Sequence, residues 1–309
     1  MAELPKKVFL REDGPREGFQ MHPEFVPTEQ KLELIHALTK TGIQSIEVTS
    51  FVRHDRVPQL RDAAILASKL EKVSGVRYRA LYLNQVGLEE ALQFPLLQLE
   101  GYILLAASES FLRKNNNMSL ADALAGLESW LKLFQKYKLQ FERIMFSTVF
   151  GDMDEGKIAV AKSLGVIQSA LERAGSLGAL PKEVTFADTT GFANPRAIER
   201  LVGEFRSRFP EIEVGLHLHD TRGSGMANVY AGLLAGVSRF DCSVGGLGGC
   251  PFTKSTAGNV PTEDVAFLCA ELGIETGVDL RAYIECAKLA EHIVGRPLPG
   301  KLKNAGVLP

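Results

Sequence analysis

The chain has 309 residues, a formal net charge of -2, and hydrophobic and charged fractions of 45% and 23%. That balance fits a globular protein with a full core and offers no basic footprint for nucleic acid or an anionic membrane. No apolar run approaches the ~20 residues of a membrane span, and residues 1–7 hold neither a signal peptide's apolar core nor an Arg-rich presequence, so a cytoplasmic protein is expected.

Short β-branched runs alternate with amphipathic stretches from end to end. The first strand is expected at 7–11, followed by a Gly-punctuated loop over 11–20, REDGPREGFQ, that sets Arg16 and Glu17 side by side. A helix is expected over 28–41, with Thr28 as N-cap, Leu34, Ile35 and Leu38 as its apolar stripe and Gly42 at C′. Further strands are expected near 43–49, 77–83, 100–107, 141–149, 183–187, 213–219 and 238–243. The intervening segments read as helices, most clearly over 122–137 and 157–174 and least clearly around 88–92. Residues after about 279 read as an appended helix and tail.

Eight strands, each followed by a crossover segment, predict an α/β protein with a closed TIM (β/α)8 barrel in one domain over 1–309. An open doubly wound sheet is the alternative, but no GxGxxG follows the first strand. A barrel carries its chemistry at the C-terminal ends of the strands and in the loops that follow.

At the end of the seventh strand stands His217-Leu218-His219. Side chains alternate along a strand, so Val214, Leu216 and Leu218 face the helices while His217 and His219 point inward. Two imidazoles on one face are half of a metal site. They read equally well as hydrogen-bonded interior histidines. On the second strand Glu47 lies inward between Ile46 and Val48, and a buried carboxylate needs a partner. After the eighth strand, residues 245–252 (GGLGGCPF) predict a mobile loop able to bring its backbone close to a ligand, with Cys250 at its tip and Gly258-Asn259 beyond.

Four cysteines, at 242, 250, 269 and 286, form no CxxC pair and are expected to be free thiols, Cys242 and Cys269 packed in the core. His36 and His292 lie on expected helices without partners, and His22 and His54 lie in loops on the catalytic face.

GPREGFQ (14–20), IEVTSFV (46–52), HLHDTRGSGMANVYAGLLAGV (217–237), GGLGGCPF (245–252) and AGNVPTED (257–264) resemble the hydroxymethylglutaryl-CoA lyase family, in the right order and spacing across nearly the whole barrel. The resemblance implies retro-Claisen cleavage of a 3-hydroxyacyl-CoA such as 3-hydroxy-3-methylglutaryl-CoA, to acetyl-CoA and a keto acid, in leucine catabolism. It implies a divalent cation, Mg²⁺ or Mn²⁺, held by Glu17, His217, His219 and Asn259. Arg16, paired with Glu47, would stabilise charge on the thioester oxygen. Cys250 would protonate the enolate carbon, Asp188 would support acid–base work, and Thr189, Gln20 and Arg222 would contact the substrate. Asp188-Thr189 also reads as an N-cap for the next helix. A homodimer is common in the family.

The chain departs from the family pattern in places. Glu17 stands where the family carries Asp, a side chain shorter by one methylene. Met21 replaces a polar residue, Arg222 stands where many members have Tyr, and the loop over 151–156 (GDMDEG) is unusually acidic. These changes bear on which acyl group is cleaved. Two other readings are a condensing enzyme or pyruvoyl aldolase of the same barrel group, and a barrel that only binds. The first shares the metal ligands but lacks the cysteine loop. The second predicts an eroded ligand set, which this chain does not have.

Overall fold

The computed structural model describes residues 3–248 and 258–308. Eight parallel strands run through it in chain order: β1 (Phe9–Glu12), β2 (Ser45–Phe51), β3 (Arg77–Tyr82), β4 (Gly101–Ala106), β5 (Phe141–Ser147), β6 (Glu183–Asp188), β7 (Glu213–Leu218) and β8 (Arg239–Cys242). Each expected strand is present, with ends shifted by a residue or two. The chain groups into two compact units, a terminal one of Pro5–Leu99, His219–Thr221 and Arg239–Pro309, and a central one built mainly of Glu100–Leu218 and Arg222–Ser238.

In the terminal unit the strand order is β3-β2-β1-β8. Register partners include Glu12 with Cys242, Glu12 with Ile46, and Glu47 with Arg79. Ile46 and Val48 on β2 are buried, as are Leu34, Ile35 and Leu38, the apolar stripe of the helix Thr28–Leu38. That helix starts differently from the expectation: Pro27 is its N-cap, and Thr28, already helical, donates its hydroxyl to Asp62 Oδ2 at 2.8 Å. Asp62 also accepts from the buried Lys31 at 2.6 Å, so the acid satisfies two donors that the core would otherwise strand. Gly42 closes the connection with φ +82, and a Cβ there would collide with the carbonyl oxygen of Gly277.

Residues 14–20, expected as part of a loop, form the helix Gly14–Gln20. Pro15 suits a first turn, where its missing N–H costs nothing. Gly18 lets this helix lie against Leu247, since a Cβ would strike the leucine side chain. The glycines here serve close packing and not mobility. The weakly periodic 88–92 segment belongs to the helix Gln85–Ala91, capped by Asn84 Oδ1 accepting from Gly87 N at 2.9 Å. At the far end Asp279 caps the helix Leu280–Val294, and a short helix, Leu302–Ala305, follows.

In the central unit the order is β7-β6-β5-β4, with Ala187 opposite His217. The helix expected over 122–137 is two helices, Leu120–Ala125 and Leu127–Lys136, which meet at Gly126. The next runs Val160–Ser176, preceded by a small hairpin of Gly151–Asp152 with Gly156–Lys157 that the sequence pattern had not indicated. Cys242, Cys269 and Cys286 are buried free thiols, whereas Cys250 lies outside the described residues. Among the described residues no helix is long and apolar enough to cross a membrane.

Candidate metal centre and its ion-pair network

In the terminal unit β1 ends at Glu12, which is fully buried. Its Oε1 accepts from Gly14 N at 2.7 Å and Val244 N at 2.9 Å; its Oε2 accepts from Thr262 Oγ1 at 2.7 Å and from the Tyr283 hydroxyl. Burial pushes this carboxyl up from its ordinary range, against the pull of those four donors. One acid thus ties the start of the Gly14–Gln20 helix to the turn after β8 and to the helix Leu280–Val294.

That anchoring sets Arg16 and Glu17 on the first turns of a rigid helix. Arg16 pairs through Nε with Glu47 Oε1, and its Nη2 lies 3.3 Å from Glu17 Oε2. Burial works against the guanidinium cation, but the carboxylates of Glu47, Glu17 and Asp13 outweigh it and hold the group firmly protonated. Glu47 itself is shared. Its Oε2 lies 3.2 Å from Nη1 of Arg79, the residue in register with it on β3. Arg79 also donates from Nη2 to Asp13 Oδ1 at 2.6 Å and from Nε to Ser45 Oγ at 2.8 Å. Asp13 is pushed up to about 7 by burial and by the Glu47 charge, with Arg79 pulling the other way.

Glu17 faces two further donors. Its Oε1 is 3.3 Å from His219 Nε2, and its Oε2 accepts from Asn259 Nδ2 at 3.4 Å. His219 and Asn259 are held together by an antiparallel bridge between their backbones. Asn259 is fully buried, and its Oδ1 has no hydrogen-bond partner among the described residues. A buried carbonyl oxygen in that state costs free energy unless something positive meets it. The carboxylate of Glu17, the imidazole of His219 and the amide group of Asn259 therefore meet, and these residue types suit a divalent metal ion. His217, expected as the second imidazole, is buried on β7 in the central unit, two residues before His219. Val214, Leu216 and Leu218 are buried along the same strand, as the alternation required.

The other expected site residues of the central unit have local partners. Asp188 ends β6, 1% exposed, and its Oδ1 accepts from Phe192 N at 2.7 Å and Ala193 N at 3.0 Å. It shapes the turn and does not cap the next helix. That position belongs to Asn194, whose side chain accepts from Ala197 N at 3.0 Å. Thr189 Oγ1 accepts from Thr148 N at 3.1 Å; Thr148, with φ 55, is a β-branched residue in the left-handed region, strain of the kind stored at functional sites. Arg222 is exposed, donates to the carbonyls of Thr190 and Gly191 at 2.9 Å each, and lies over the Phe192 ring. In the acidic hairpin Asp152 accepts from Ser110 Oγ at 2.7 Å, and Asp154 pairs with Lys114 at 2.6 Å.

The glycine-rich stretch is described as far as Gly248, and its first half is not a mobile loop. Gly245 and Gly246 form a buried turn with positive φ, where a Cβ would lie 2.7 Å from Leu298 Cδ1 and 2.7 Å from Pro299 Cγ respectively. Gly245 N donates to Glu263 Oε2 at 3.0 Å. Gln20 ends its helix half-buried. His22 is tied by Nε2 to the Val294 carbonyl at 3.2 Å, while His36, His54 and His292 are exposed. Sequence reasoning missed Asp13 and Arg79. Their signal was available: Arg79 stands third in its strand, as Glu47 does in β2, so parallel pairing faces them to one side.

A family model described as HMGL-like matches residues 7–290. A hydroxymethylglutaryl-CoA lyase of Bacillus subtilis is 38% identical over 297 residues, 96% of each chain. A crystal structure of the Bacillus subtilis HMG-CoA lyase superposes with a TM-score of 0.90 at 37% identity, covering 98% of each chain. The structure of an HMG-CoA lyase from Acinetobacter baumannii in complex with coenzyme A and 3-methylmalate gives a TM-score of 0.86 at 34% identity, covering 100% of this chain and 99% of that one. The fold is accordingly the (β/α)8 barrel, in the α/β class, that the strand pattern had predicted.

Proposed function

The chain belongs to the HMGL-like family, and we propose on that footing that it is a carbon–carbon lyase cleaving 3-hydroxy-3-methylglutaryl-CoA to acetyl-CoA and acetoacetate. The observation that supports this most is the meeting of Glu17, His219 and Asn259, with a buried amide oxygen in need of a positive partner.

In this reading Glu17, His217, His219 and Asn259 hold a divalent cation, Mg²⁺ or Mn²⁺, which when bound supplies Lewis-acid polarisation of the substrate's 3-hydroxyl and carboxylate. The remaining work falls to side chains. Asp188 supports removal of the 3-hydroxyl proton. As that proton leaves, the C2–C3 bond breaks, its electron pair passes to the thioester as an enolate, and the other fragment becomes the ketone. Arg16, kept cationic and aimed by Glu47, stabilises the enolate oxygen. The Cys250 thiol, outside the described residues, gives its proton to C2 and completes acetyl-CoA. Thr189, Gln20 and Arg222 contact the substrate. A cytoplasmic homodimer acting in leucine catabolism, with the barrel as one domain over 1–309, completes the proposal.

The test is acetyl-CoA release from 3-hydroxy-3-methylglutaryl-CoA and longer 3-hydroxyacyl-CoA thioesters, before and after chelation. Chelation is expected to abolish release and added Mg²⁺ or Mn²⁺ to restore it. Full activity after verified metal removal refutes the reading. Condensation without cleavage would move the chain to the synthases of this barrel group.

A further inference from the structure

We propose that Arg79 is a positioning residue for Arg16, fixing the direction of its guanidinium through the carboxylate of Glu47. The inference rests on the reading of Arg16 as the group that stabilises the enolate oxygen.

The geometry is a chain of three links. Arg79 is 4% exposed and spreads its fork over three acceptors: Ser45 Oγ at 2.8 Å, Glu47 Oε2 at 3.2 Å and Asp13 Oδ1 at 2.6 Å. Ser45 and Glu47 come from β2, and Asp13 from the turn between β1 and the helix that carries Arg16. A planar guanidinium bound at three nitrogens has no rotational freedom left. Glu47 is gripped on its Oε2 side and therefore presents Oε1 in one direction only, toward Arg16 Nε. The same fork holds Asp13, whose backbone carbonyl accepts from the amides of Arg16 at 3.1 Å and Glu17 at 2.8 Å. Arg79 thus fixes the carboxylate that orients Arg16 and the residue at the foot of its helix.

A carboxylate held by Arg16 alone could swing about its side chain and take the arginine with it. Displacements of ~1 Å in a catalytic group are enough to cost on the order of 100-fold in rate. Arg79 lends no group to the substrate, because its nitrogens are already committed within the barrel wall. Its contribution should therefore fall on kcat and leave metal binding alone.

Removing Arg79 by itself would strand two buried carboxylates, so the test is the neutral double variant R79M/D13N, with R79K beside it. For folded R79M/D13N, Mn²⁺ affinity and KM for 3-hydroxy-3-methylglutaryl-CoA are expected within about 3-fold of the parent, and kcat lower by roughly 10- to 100-fold. In metal-free protein the ¹⁵N-resolved Arg16 Nε–H, protected in the parent, should exchange faster in both variants. R79K, reaching fewer acceptors, should lie between parent and double variant in both readouts and decides the matter if the double variant fails to fold. Unchanged kcat with an unchanged Arg16 Nε–H in either folded variant overturns the proposal. R16M separates the two levels. If it keeps full activity, the reading of Arg16 is what fails, whereas full activity in the Arg79 variants beside an inactive R16M defeats only the present inference.

Discussion

Glu263 should make this protein lose stability as pH rises through neutrality. Its side chain is fully buried; Oε2 accepts from Gly245 N at 3.0 Å and Oε1 has no partner among the described residues. Desolvation dominates, and the carboxyl is pushed up from 4.5 to about 8. The sign follows from proton counting. Between 4.5 and about 8 the unfolded chain has released this proton and the folded chain has kept it, so raising the pH favours unfolding. Stability is complete below 4.5 and falls by about 1.4 kcal/mol for each pH unit inside that window. From pH 5.5 to 7.5 this one group should therefore remove roughly 2–3 kcal/mol. E263Q mimics the neutral acid: its carbonyl can take the Gly245 N–H, while one additional N–H beside Gly300 costs about 1 kcal/mol. Urea unfolding at the two pH values is the assay. E263Q should be about as stable as the parent at pH 5.5 and more stable by roughly 3 kcal/mol at pH 7.5. The comparison cancels other buried acids such as Asp13, which titrate in both proteins. A variant-minus-parent difference that stays constant within about 0.5 kcal/mol across the two pH values refutes the reasoning.

N259A should weaken Mn²⁺ binding by roughly 10- to 100-fold, a loss of the size seen when a metal site's support is removed, and should leave the midpoint of thermal unfolding of the metal-free protein little changed. Equal Mn²⁺ affinity by titration calorimetry would take Asn259 out of the ligand set. G42A should cost at least about 2 kcal/mol in urea unfolding, because φ +82 is strained for alanine and its Cβ would collide with the Gly277 carbonyl.

Most of the frame is readable along the chain, since strands and amphipathic helices announce themselves through local period. All eight strands fall within two residues of their expected bounds, and the helix Leu280–Val294 begins at the expected place. The errors are local too. REDGPREGFQ carries the glycines of a loop, yet its second half is helical because Gly18 is used for contact with Leu247. Asp188 had the look of an N-cap, but the chain continues to Asn194 before the helix starts, and the acid binds two turn amides instead. Gly245 and Gly246 suggested motion, and packing beneath Leu298 and Pro299 uses them for a tight buried turn.

For the site, the inward placement of His217, His219 and Glu47 followed from alternation along their strands, whereas Arg16 and Glu17 stood out only through the resemblance to the family. What faces what was decided by folding. Arg79 reaches Glu47 because two strands pair in one register, and Asn259 reaches Glu17 because a chain segment 242 residues away returns to bridge His219. Periodicity records which side of its own element a residue occupies. Distances between elements depend on strand register and on where buried charges find partners, and those are settled only when the whole chain is packed.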